Sequence, residues 1–547
     1  MKNKMAKFMA LLLAAVLLVG CGANSGGENS GGTETKSGGD SQGTANGEKI
    51  VTLASTGAWE ALHPFSSERD TQVAFIYPIY ESYVTITSEG EVLPRLFESW
   101  EQSEDGSVLT CKLRQDATWS DGEPVTAHDV EFTLKTATDP NLPVDGSRPQ
   151  VTMLFTGTDD VGARIEGEEF GVKALDDYTV EFTYKDSKKS TILNEMYSMR
   201  YTFTLPEHCL KDIPVESLLT DSFWENPVTS GAFTVDNIIS GERIEYAARD
   251  DYYLGRPQMD RLMIRVIPAN NILSAMLAGE VDGTVYGSQL TYSDYELAKK
   301  DENLETFETS GFGNYHLLLN NEALDQNARL AIDCAVNKES IINDVLYGYA
   351  RPAISAIVPE NPYRNKAVEG NPYDPELAKE YLAKSSLDTS KPLRLLIGSS
   401  SVIGQNIAVL VQQQLQAIGL TVNIEPYDTA TLSSKFYEGD FEMGFMGAAS
   451  NPFEPSESLF YFRVVPNGWL RMTDDSWVKI YEKGIEGLTL EERKPAYDEL
   501  QERLVAEVPM VFLYHPDMLF VNSKKISGMP YADFSLKSWR YEEWTVK

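Results

Sequence analysis

The chain contains few of the residues from which metal, redox and hydrolytic sites are most often built. Its 547 residues include only four cysteines and five histidines. No Cys-x-x-Cys pair occurs, which argues against a structural zinc site and a thioredoxin-like redox motif. A Ser/His/Asp pattern, a His-Glu-x-x-His pattern and a phosphate-binding loop are also missing. We therefore predict a protein that is not an enzyme and that uses no metal and no cofactor.

Positive charge is scarce as well. Lys and Arg together number 47 against 82 Asp and Glu, so the formal net charge is -35 at pH 7. Such a surface repels the phosphates of nucleic acids and weakly favours neutral or cationic ligands. We therefore expect no nucleic acid among the partners.

Long apolar runs are limited to the amino terminus. Phe8–Val19 is unbroken apolar sequence and follows the lysine-rich start Met1–Lys7. The run is shorter than the roughly 17 to 25 residues that a membrane-spanning helix needs, and no later segment is long and apolar enough. A charged start followed by a short apolar middle is typical of a secretory signal. This end is therefore predicted to direct export.

The signal ends at Leu18-Val19-Gly20-Cys21, which resembles the lipobox of bacterial lipoproteins. The resemblance implies that residues 1–20 are removed and that the thiol of Cys21 is acylated. Residues 22–48 contain no Val, Ile, Leu or aromatic residue, so they should form a flexible tether with a reach of about 30 Å. The expected location is extracytoplasmic, with a lipid anchor to the cell membrane, at the surface of a Gram-positive cell or in a Gram-negative periplasm.

The remaining cysteines, Cys111, Cys209 and Cys334, are widely spaced and can form at most one disulfide. His208-Cys209 is the only adjacent pair of soft metal ligands. We interpret it as an incidental surface pair.

The body that starts near Lys49 is too long for one hydrophobic core, because single cores stop growing at roughly 250 to 300 residues. An α/β organisation is predicted by the apolar strand Leu393–Gly398, a helical apolar pattern ending at Gly419, and a second strand Leu420–Ile424. Ser399, Ser400 and Ser401 precede the helix as candidate caps. Another helix should start at Asp374-Pro375, with the aspartate as cap and the proline in the first turn.

One long segment, Leu93–Leu134, closely resembles the signature of the family-5 extracellular solute-binding proteins, which are the oligopeptide and dipeptide receptors of ABC importers. The matching features include Glu98-Ser99-Trp100-Glu101 and Trp119-Ser120-Asp121-Gly122, in which Trp119 should anchor the following turn. Further segments that resemble the family are Pro227–Phe233, Asp250–Met259, Leu277–Asp282, Ala328–Ile341 and Tyr373–Ala378. The resemblance therefore covers nearly the whole mature body.

The resemblance implies an α/β, two-lobed, periplasmic-binding-protein-like fold of type II, cluster C, with an extra subdomain in the first lobe. Lobe I would comprise residues 49–308 and 508–547, with the subdomain at about 84–226, and lobe II residues 309–507. The chain should cross between lobes near Gly311–Tyr315 and Val508–Tyr514. Hinge closure that buries the ligand between the lobes is the expected motion.

The family resemblance also implies where a ligand should lie. Peptide receptors of the family hold the ligand's ammonium group with an aspartate, where this chain has Asn451, and a serine run replaces the arginine that holds the carboxylate in dipeptide receptors. Trp59 lies where relatives bring a first-strand loop to the ligand, and the preceding backbone could pair with an extended peptide. The candidate ligand-binding residues are Thr56, Gly57, Ala58, Trp59, Phe312, Tyr315, Ser399, Ser400, Ser401, Gly447, Ala448 and Asn451.

The function that the resemblance implies is capture of oligopeptides and their delivery to an ABC permease with its ATPase subunits, by a protein expected to be a monomer. Because the two charged anchors are replaced, the same fold could instead bind an oligosaccharide or another non-peptide solute such as a nickel chelate or haem. A surface receptor or adhesin without transport is a further alternative.

The lipobox predicts that Cys21→Ala releases the protein from membranes, because the thiol that takes the lipid is gone. Fractionation of cells that express the wild type and the variant, followed by mass spectrometry, measures this. A variant that stays in the membrane pellet with unchanged mass would contradict the assignment.

Overall fold

The computed structural model of the chain describes residues 47–59, 61–65, 70–86, 92–143, 152, 154–159, 162–185, 203–448, 455–462, 468–528 and 540–547. The predicted signal peptide, Cys21 and Asn451 lie outside these residues, as does nearly all of the predicted tether. Within the described ranges, no helix combines the length and the apolar character that crossing a membrane would require.

We number the strands of the described residues β1 to β20 in chain order. They are β1 (Ile50–Ser55), β2 (Val84–Ile86), β3 (Val92–Pro94), β4 (Phe97–Gln102), β5 (Val108–Leu113), β6 (Val172–Asp176), β7 (Thr179–Thr183), β8 (Phe233–Ile239), β9 (Arg243–Ala248), β10 (Arg261–Val266), β11 (Gly283–Thr284), β12 (Leu304–Ser310), β13 (Asn314–Leu319), β14 (Ala350–Pro352), β15 (Leu393–Gly398), β16 (Val422–Tyr427), β17 (Met443–Ala448), β18 (Met510–Ser523), β19 (Ile526–Ser527) and β20 (Thr545–Val546).

The α-helices of the same residues are numbered in the same way. They are α1 (Asp70–Ile76), α2 (Ala127–Ala137), α3 (Glu207–Leu210), α4 (Val215–Leu218), α5 (Ala269–Leu277), α6 (Tyr292–Ala298), α7 (Gln326–Ala335), α8 (Lys338–Ser340), α9 (Pro375–Leu382), α10 (Val402–Ala417), α11 (Thr429–Glu438), α12 (Ser476–Ile485) and α13 (Leu490–Glu507). Short 3-10 helices lie at Ser222–Glu225, Glu457–Phe462 and Tyr541–Glu543, and a π-helical turn at Ile341–Val345.

In the described part of the chain, twelve strands join in one hydrogen-bonded network that is organised by β18. The first part of β18 pairs with β13 and β14, and the second part pairs with β12 and β11. The change of partner falls between Pro516 and Asp517, beyond the predicted crossing at Val508–Tyr514, because β14 extends the first set of pairs. The other crossing is the short link Gly311–Gly313 between β12 and β13. The predicted lobe boundaries remain a prediction.

The predicted strand–helix–strand unit is present. β15 and β16 run parallel, with Leu393 opposite Val422, and α10 connects them. The second strand begins at Val422, two residues after the predicted start. The helix start predicted at Asp374 is also confirmed, since the Asp374 carboxylate accepts hydrogen bonds from the first backbone amides of α9 and Pro375 is its first residue.

A smaller antiparallel sheet, in the order β4-β5-β7-β6, carries part of the segment that resembles the family signature. α2 packs against this sheet. Trp119 is fully buried, and its indole N–H donates to the Asp129 carboxylate with an Nε1–Oδ2 distance of 3.4 Å. This burial agrees with the anchoring role predicted for Trp119.

Separate apolar cores pack against the two halves of the large sheet. One extends from β1 through the small sheet to the last strand, and its members include Val51, Phe97 and Trp544. Two others lie on opposite sides of β13, where Leu317 belongs to one and Leu318 to the other. This division follows the alternation of side chains across a strand that is buried on both faces. Cys111, Cys209 and Cys334 are all free thiols.

Arg329 fixes the entry of the chain into β18. The long helix α13 ends at Glu507, and Val508 then adopts a left-handed conformation with φ 45°. The Arg329 guanidinium, carried by α7, donates to the carbonyl oxygens of Val508 at 2.9 Å, Glu507 at 3.0 Å and Leu324 at 2.7 Å. An arginine suits this position because its rigid fork supplies several N–H donors at once. Burial lowers the pKa of Arg329 from its ordinary value.

Replacing Arg329 with methionine should lower the free energy of unfolding by about 1 to 3 kcal/mol, because partly buried carbonyl oxygens lose their donors. Urea unfolding of wild type and variant measures the difference. Lys379→Met is a suitable control, since Lys379 forms an exposed ion pair with Glu376 and its loss should cost no more than about 0.5 kcal/mol. Equal losses in the two variants would contradict the role of Arg329.

Candidate functional site

Three chain segments that carry candidate residues meet at one edge of the large sheet. β15 and β17 run parallel, and β17 pairs antiparallel with β13, so that Asn314 lies opposite Ala448. The carboxyl ends of β15 and β17 and the amino end of β13 therefore share an edge. Ligands of open α/β sheets bind outside the carboxyl ends of parallel strands, and this edge is that position.

A stack of three aromatic rings covers the sheet beside this edge. The Tyr315 ring lies 5.7 Å from the ring of Phe445 and 4.8 Å from that of Tyr514, and both pairs are nearly parallel. Gly447 is opposite Tyr315 on β17, and a Cβ atom there would stand 2.6 Å from Cε1 of the tyrosine. The glycine therefore allows the ring to lie flat across the neighbouring strand. Burial raises the pKa of Tyr315.

A second group of tyrosines connects α6 with the segment before β14. The Tyr292 ring stacks on Tyr347 at 6.1 Å and on Tyr349 at 6.0 Å. The hydroxyl of Tyr349 hydrogen-bonds to the Glu296 carboxylate and lies 3.1 Å from Nζ of Lys299. Burial raises the pKa of Tyr292 to about 12, so its hydroxyl is neutral at physiological pH. These contacts join elements that lie on opposite sides of the predicted lobe boundary.

The link between β12 and β13 is held by hydrogen bonds to its backbone. The Gly311 amide donates to the carbonyl of Pro516 at 3.0 Å, and Arg351 donates to the Gly311 carbonyl at 2.8 Å. Nδ1 of His515 lies 3.0 Å from the carbonyl oxygen of Gly313. Burial lowers the pKa of His515 to about 4, so the ring is neutral at pH 7 and donates through Nδ1–H to this carbonyl.

Charged side chains gather next to the same link. Arg351 hydrogen-bonds to the Glu360 carboxylate, and its Nε lies 3.4 Å from Oδ1 of Asp517. Ser310 also donates to Glu360, at 3.1 Å. Burial raises the pKa of Asp517. Sequence reasoning missed these residues and His515, because no local pattern distinguishes them from other isolated polar residues, and it named Tyr514 only as the end of a predicted crossing.

The candidate segment Thr56–Trp59 follows β1 directly. The Thr56 amide donates to the Ser288 hydroxyl at 2.9 Å, and the Gly57 amide lies 3.3 Å from the hydroxyl oxygen of Ser55. Two of the amides predicted to pair with an extended ligand therefore already have intramolecular acceptors. Ala58 is exposed, whereas Trp59 is partly buried with its ring 5.0 Å from that of Phe75.

The three serines after β15 are exposed. Ser401 is the N-cap of α10, and its hydroxyl accepts a hydrogen bond from the Gly404 amide at 3.0 Å. The Ser399 amide donates to the carbonyl of Tyr427, and its own carbonyl accepts from the side chain of Gln405 at 3.0 Å. Capping is thus one role of the run. Ser399 and Ser400 present neutral polar groups beside the helix start.

The other candidates differ in how accessible they are. Phe312 is only 7% exposed and packs on Val358, so most of its surface is covered by the protein itself. Gly447 is exposed and Ala448 is half-buried at the end of β17. Asn451 lies outside the described residues, and its predicted contact with a ligand stays a prediction.

Two α/β halves joined by a shared strand and a short second crossing define the architecture of a periplasmic-type solute-binding protein. Residues 91–468 match the family described as bacterial extracellular solute-binding proteins, family 5 middle region, and the chain belongs to this family. The match includes β13, β15 and β17, and thus most of the sheet edge described above.

Individual relatives agree with this assignment. The chain is similar to oligopeptide-binding protein AppA of Bacillus subtilis, with 25% identity across 98% of this chain and 99% of AppA. The crystal structure of that AppA in complex with a nonapeptide has a TM-score of 0.73 at 22% identity, covering 91% of this chain and 99% of AppA.

Two further solved structures share the fold. The ABC transporter substrate-binding protein CtaP of Listeria monocytogenes has a TM-score of 0.78 at 22% identity and covers 91% of this chain and 99% of its own. NikZ of Campylobacter jejuni, in complex with Ni(L-His), has a TM-score of 0.73 at 22% identity with the same coverage. Structures with this fold thus hold both a peptide and a metal chelate.

The Gly447→Ala variant should unfold at a lower urea concentration, with a loss of about 1 to 3 kcal/mol, because its methyl group would overlap the Tyr315 ring. That ring cannot move away freely, since Tyr514 stacks on it. Gly398→Ala is the matched control, because a Cβ at Gly398 meets no other heavy atom within 4 Å. If both variants unfold at the wild-type midpoint, the close approach of Gly447 and Tyr315 does not exist in solution.

Proposed function

We propose that this chain is the substrate-binding component of an ABC importer, which captures oligopeptides between its lobes and delivers them to a membrane permease driven by ATPase subunits. The observation that carries the proposal is family membership together with similarity to an oligopeptide-binding protein along almost the entire length of both chains. The protein binds and releases its cargo without changing it chemically. No nucleic acid takes part, and the protein acts as a monomer.

The location follows from the amino-terminal sequence. Residues 1–20 are the signal peptide, Cys21 carries the lipid, and the tether holds the binding body outside the cytoplasmic membrane. Lobe I comprises residues 49–308 and 508–547, and lobe II residues 309–507. This division is supported by the two crossings, at Gly311–Gly313 and between Pro516 and Asp517.

The ligand is held at the sheet edge by aromatic surfaces and neutral hydrogen bonds. Tyr315 and the exposed end of β17 form one wall, and Ser399 and Ser400 provide hydroxyl and backbone groups next to it. Trp59 and Ala58 are proposed to approach the ligand from the first lobe, as the family resemblance implies. Neutral groups can hold the backbone of an extended peptide, whose amides and carbonyls need hydrogen-bond partners but no counter-charge.

A second candidate cargo is a neutral oligosaccharide. It is favoured by the serine run 399–401, whose neutral hydroxyls lie where dipeptide receptors of the family have an arginine. Aromatic faces with a few placed polar groups suffice for such a ligand. Peptide is preferred because AppA, a relative matched over 99% of its length, is named for oligopeptides.

Calorimetric titration with an oligopeptide and with its N-acetylated form tests this proposal. Wild type should bind both forms with dissociation constants that differ by less than about tenfold. If a carboxylate held the free ammonium group, acetylation would remove a charged hydrogen bond and cost about 1.5 to 3 kcal/mol, which corresponds to more than about tenfold in affinity. Asn451→Asp should improve binding of the free-amine form by about tenfold or more and leave the acetylated form unimproved.

Asn451→Gln is the control, since it keeps a neutral amide and should not change the ratio. If wild type requires the free amino group for tight binding, another carboxylate holds it and the interpretation of Asn451 is wrong. If no oligopeptide binds and a neutral oligosaccharide does, the second candidate replaces the first.

A further inference from the structure

A side-chain cluster next to α2 brings three good metal ligands together. These are the carboxylate of Asp121, the imidazole of His208 and the thiol of Cys209. One donor atom from each residue lies within 4.8 Å of the other two, and Nε2 of His208 is 2.8 Å from Oδ2 of Asp121. The sequence alone shows His208-Cys209 as two adjacent donors, whereas the third donor comes from a residue 87 positions away. None of the three has a part in solute capture as proposed above.

We propose that Asp121, His208 and Cys209 bind one divalent transition-metal ion, and that Zn²⁺ fits the donor set best. Zinc takes thiolate, imidazole and carboxylate ligands in tetrahedral sites, with bonds of about 2.0 to 2.3 Å that place neighbouring donors about 3.3 to 3.6 Å apart. A bound ion would replace the direct 2.8 Å contact of His208 with Asp121 and draw the three donors, which lie within 4.8 Å of one another, into this range. Ca²⁺ and Mg²⁺ do not fit, because they prefer oxygen ligands throughout.

One buried carboxylate holds the two ligand-bearing segments in place. Asp129 is 4% exposed and accepts a hydrogen bond from the indole of Trp119, two residues before Asp121. It also accepts one from the backbone amide of Glu207, at 2.9 Å, directly before His208. Both segments are therefore attached to the same residue of α2, and the donors are positioned before any ion arrives. Such outer-shell contacts orient metal ligands in known sites.

Asp121 and His208 are also oriented individually. Oδ1 of Asp121 accepts a hydrogen bond from the Glu123 amide at 3.2 Å, while Oδ2 lies next to His208. The His208 ring packs edge-on against Trp119, with ring centroids 6.3 Å apart. Both ligand side chains are 35% exposed, so a hydrated ion can reach the cluster and keep a water molecule as fourth ligand.

The strongly acidic chain supports the choice of a cation. With a net charge of -35, the protein raises the local concentration of divalent cations around its surface. A bound ion would neutralise Asp121 and the Cys209 thiolate and would connect the turn after Trp119 to α3. The site therefore serves as a structural clamp on the small-sheet region, in addition to the hydrogen bonds of Asp129.

Titration with Co²⁺, a spectroscopic substitute for zinc, tests the proposal on full-length protein that carries Cys21→Ala, so that the anchor thiol is absent. After treatment with a chelator, this background protein should bind one equivalent of Co²⁺, with the near-ultraviolet charge-transfer band of a cobalt–thiolate bond, and Zn²⁺ should abolish the band. Cys209→Ser should lose the band, and both Cys209→Ser and His208→Gln should bind at least about a hundredfold more weakly, since even outer-shell changes cost 10- to 100-fold.

His128→Gln is the matched control, because His128 is also paired with a carboxylate, that of Asp177 at 3.4 Å, but has no cysteine beside it. It should bind Co²⁺ like the background protein. Thermal unfolding gives an independent readout, since Zn²⁺ should raise the melting temperature of the background protein and of His128→Gln but not of Cys209→Ser.

Without metal, the variants should melt at the same temperature as the background protein. This result would show that their loss of metal binding is not caused by a loss of folding. If the background protein shows neither the band nor the thermal shift, the proposal is wrong. It is also wrong if Cys209→Ser and His208→Gln retain them. Neither result bears on peptide capture, which the calorimetric titration tests separately.

Discussion

The structure depends on one strand, β18, whose backbone hydrogen bonds connect both halves of the large sheet. Its first part pairs with β13 and its second part with β12, so the two halves share a continuous backbone. The second crossing, Gly311–Gly313, is a short link between β12 and β13. Gly311 lies where a Cβ atom would be only 2.3 Å from the carbonyl oxygen of Pro516, so the two crossings are in direct backbone contact. Rotation about this contact would be the hinge motion that is predicted to close the two lobes on a solute.

Several of the chain's few basic side chains are arginines that lie partly or fully inside the protein and donate hydrogen bonds to backbone carbonyl groups. Arg329 donates to three carbonyl oxygens at the entry to β18, and Arg351 donates to that of Gly311. Arg249, only 5% exposed, does the same for the carbonyls of Trp119 and Thr229. Guanidinium suits this use because it carries five N–H donors in a planar fork and keeps its charge when buried. The arginines thus stabilise crossings and turns that regular secondary structure leaves without partners, while the exposed surface stays acidic.

The candidate site could be predicted in part from the sequence. Tyr315 and Gly447 were identified through the family resemblance, and the structure places them on adjacent strands in direct contact. Tyr514, which completes the ring stack, was named only as the end of a predicted crossing, and no sequence pattern indicated its contact with Tyr315. The amides of Thr56 and Gly57 were expected to be free for a ligand, but both have acceptors nearby. The acceptor of Thr56 is Ser288, which is distant in sequence, so no local pattern could reveal the contact.

By itself, the sequence determined the features that depend on a few neighbouring residues. These include the parallel unit around α10 and the helix start at Asp374, whereas the export signal with Cys21 stays a prediction. Periodicity and capping act over one or two turns, so they can be read before the fold is known. Only the tertiary structure decided which strands β18 joins and that Asp121 meets His208. Those contacts depend on how distant surfaces pack, because hydrophobic burial specifies which faces turn inward but not which distant partners meet there.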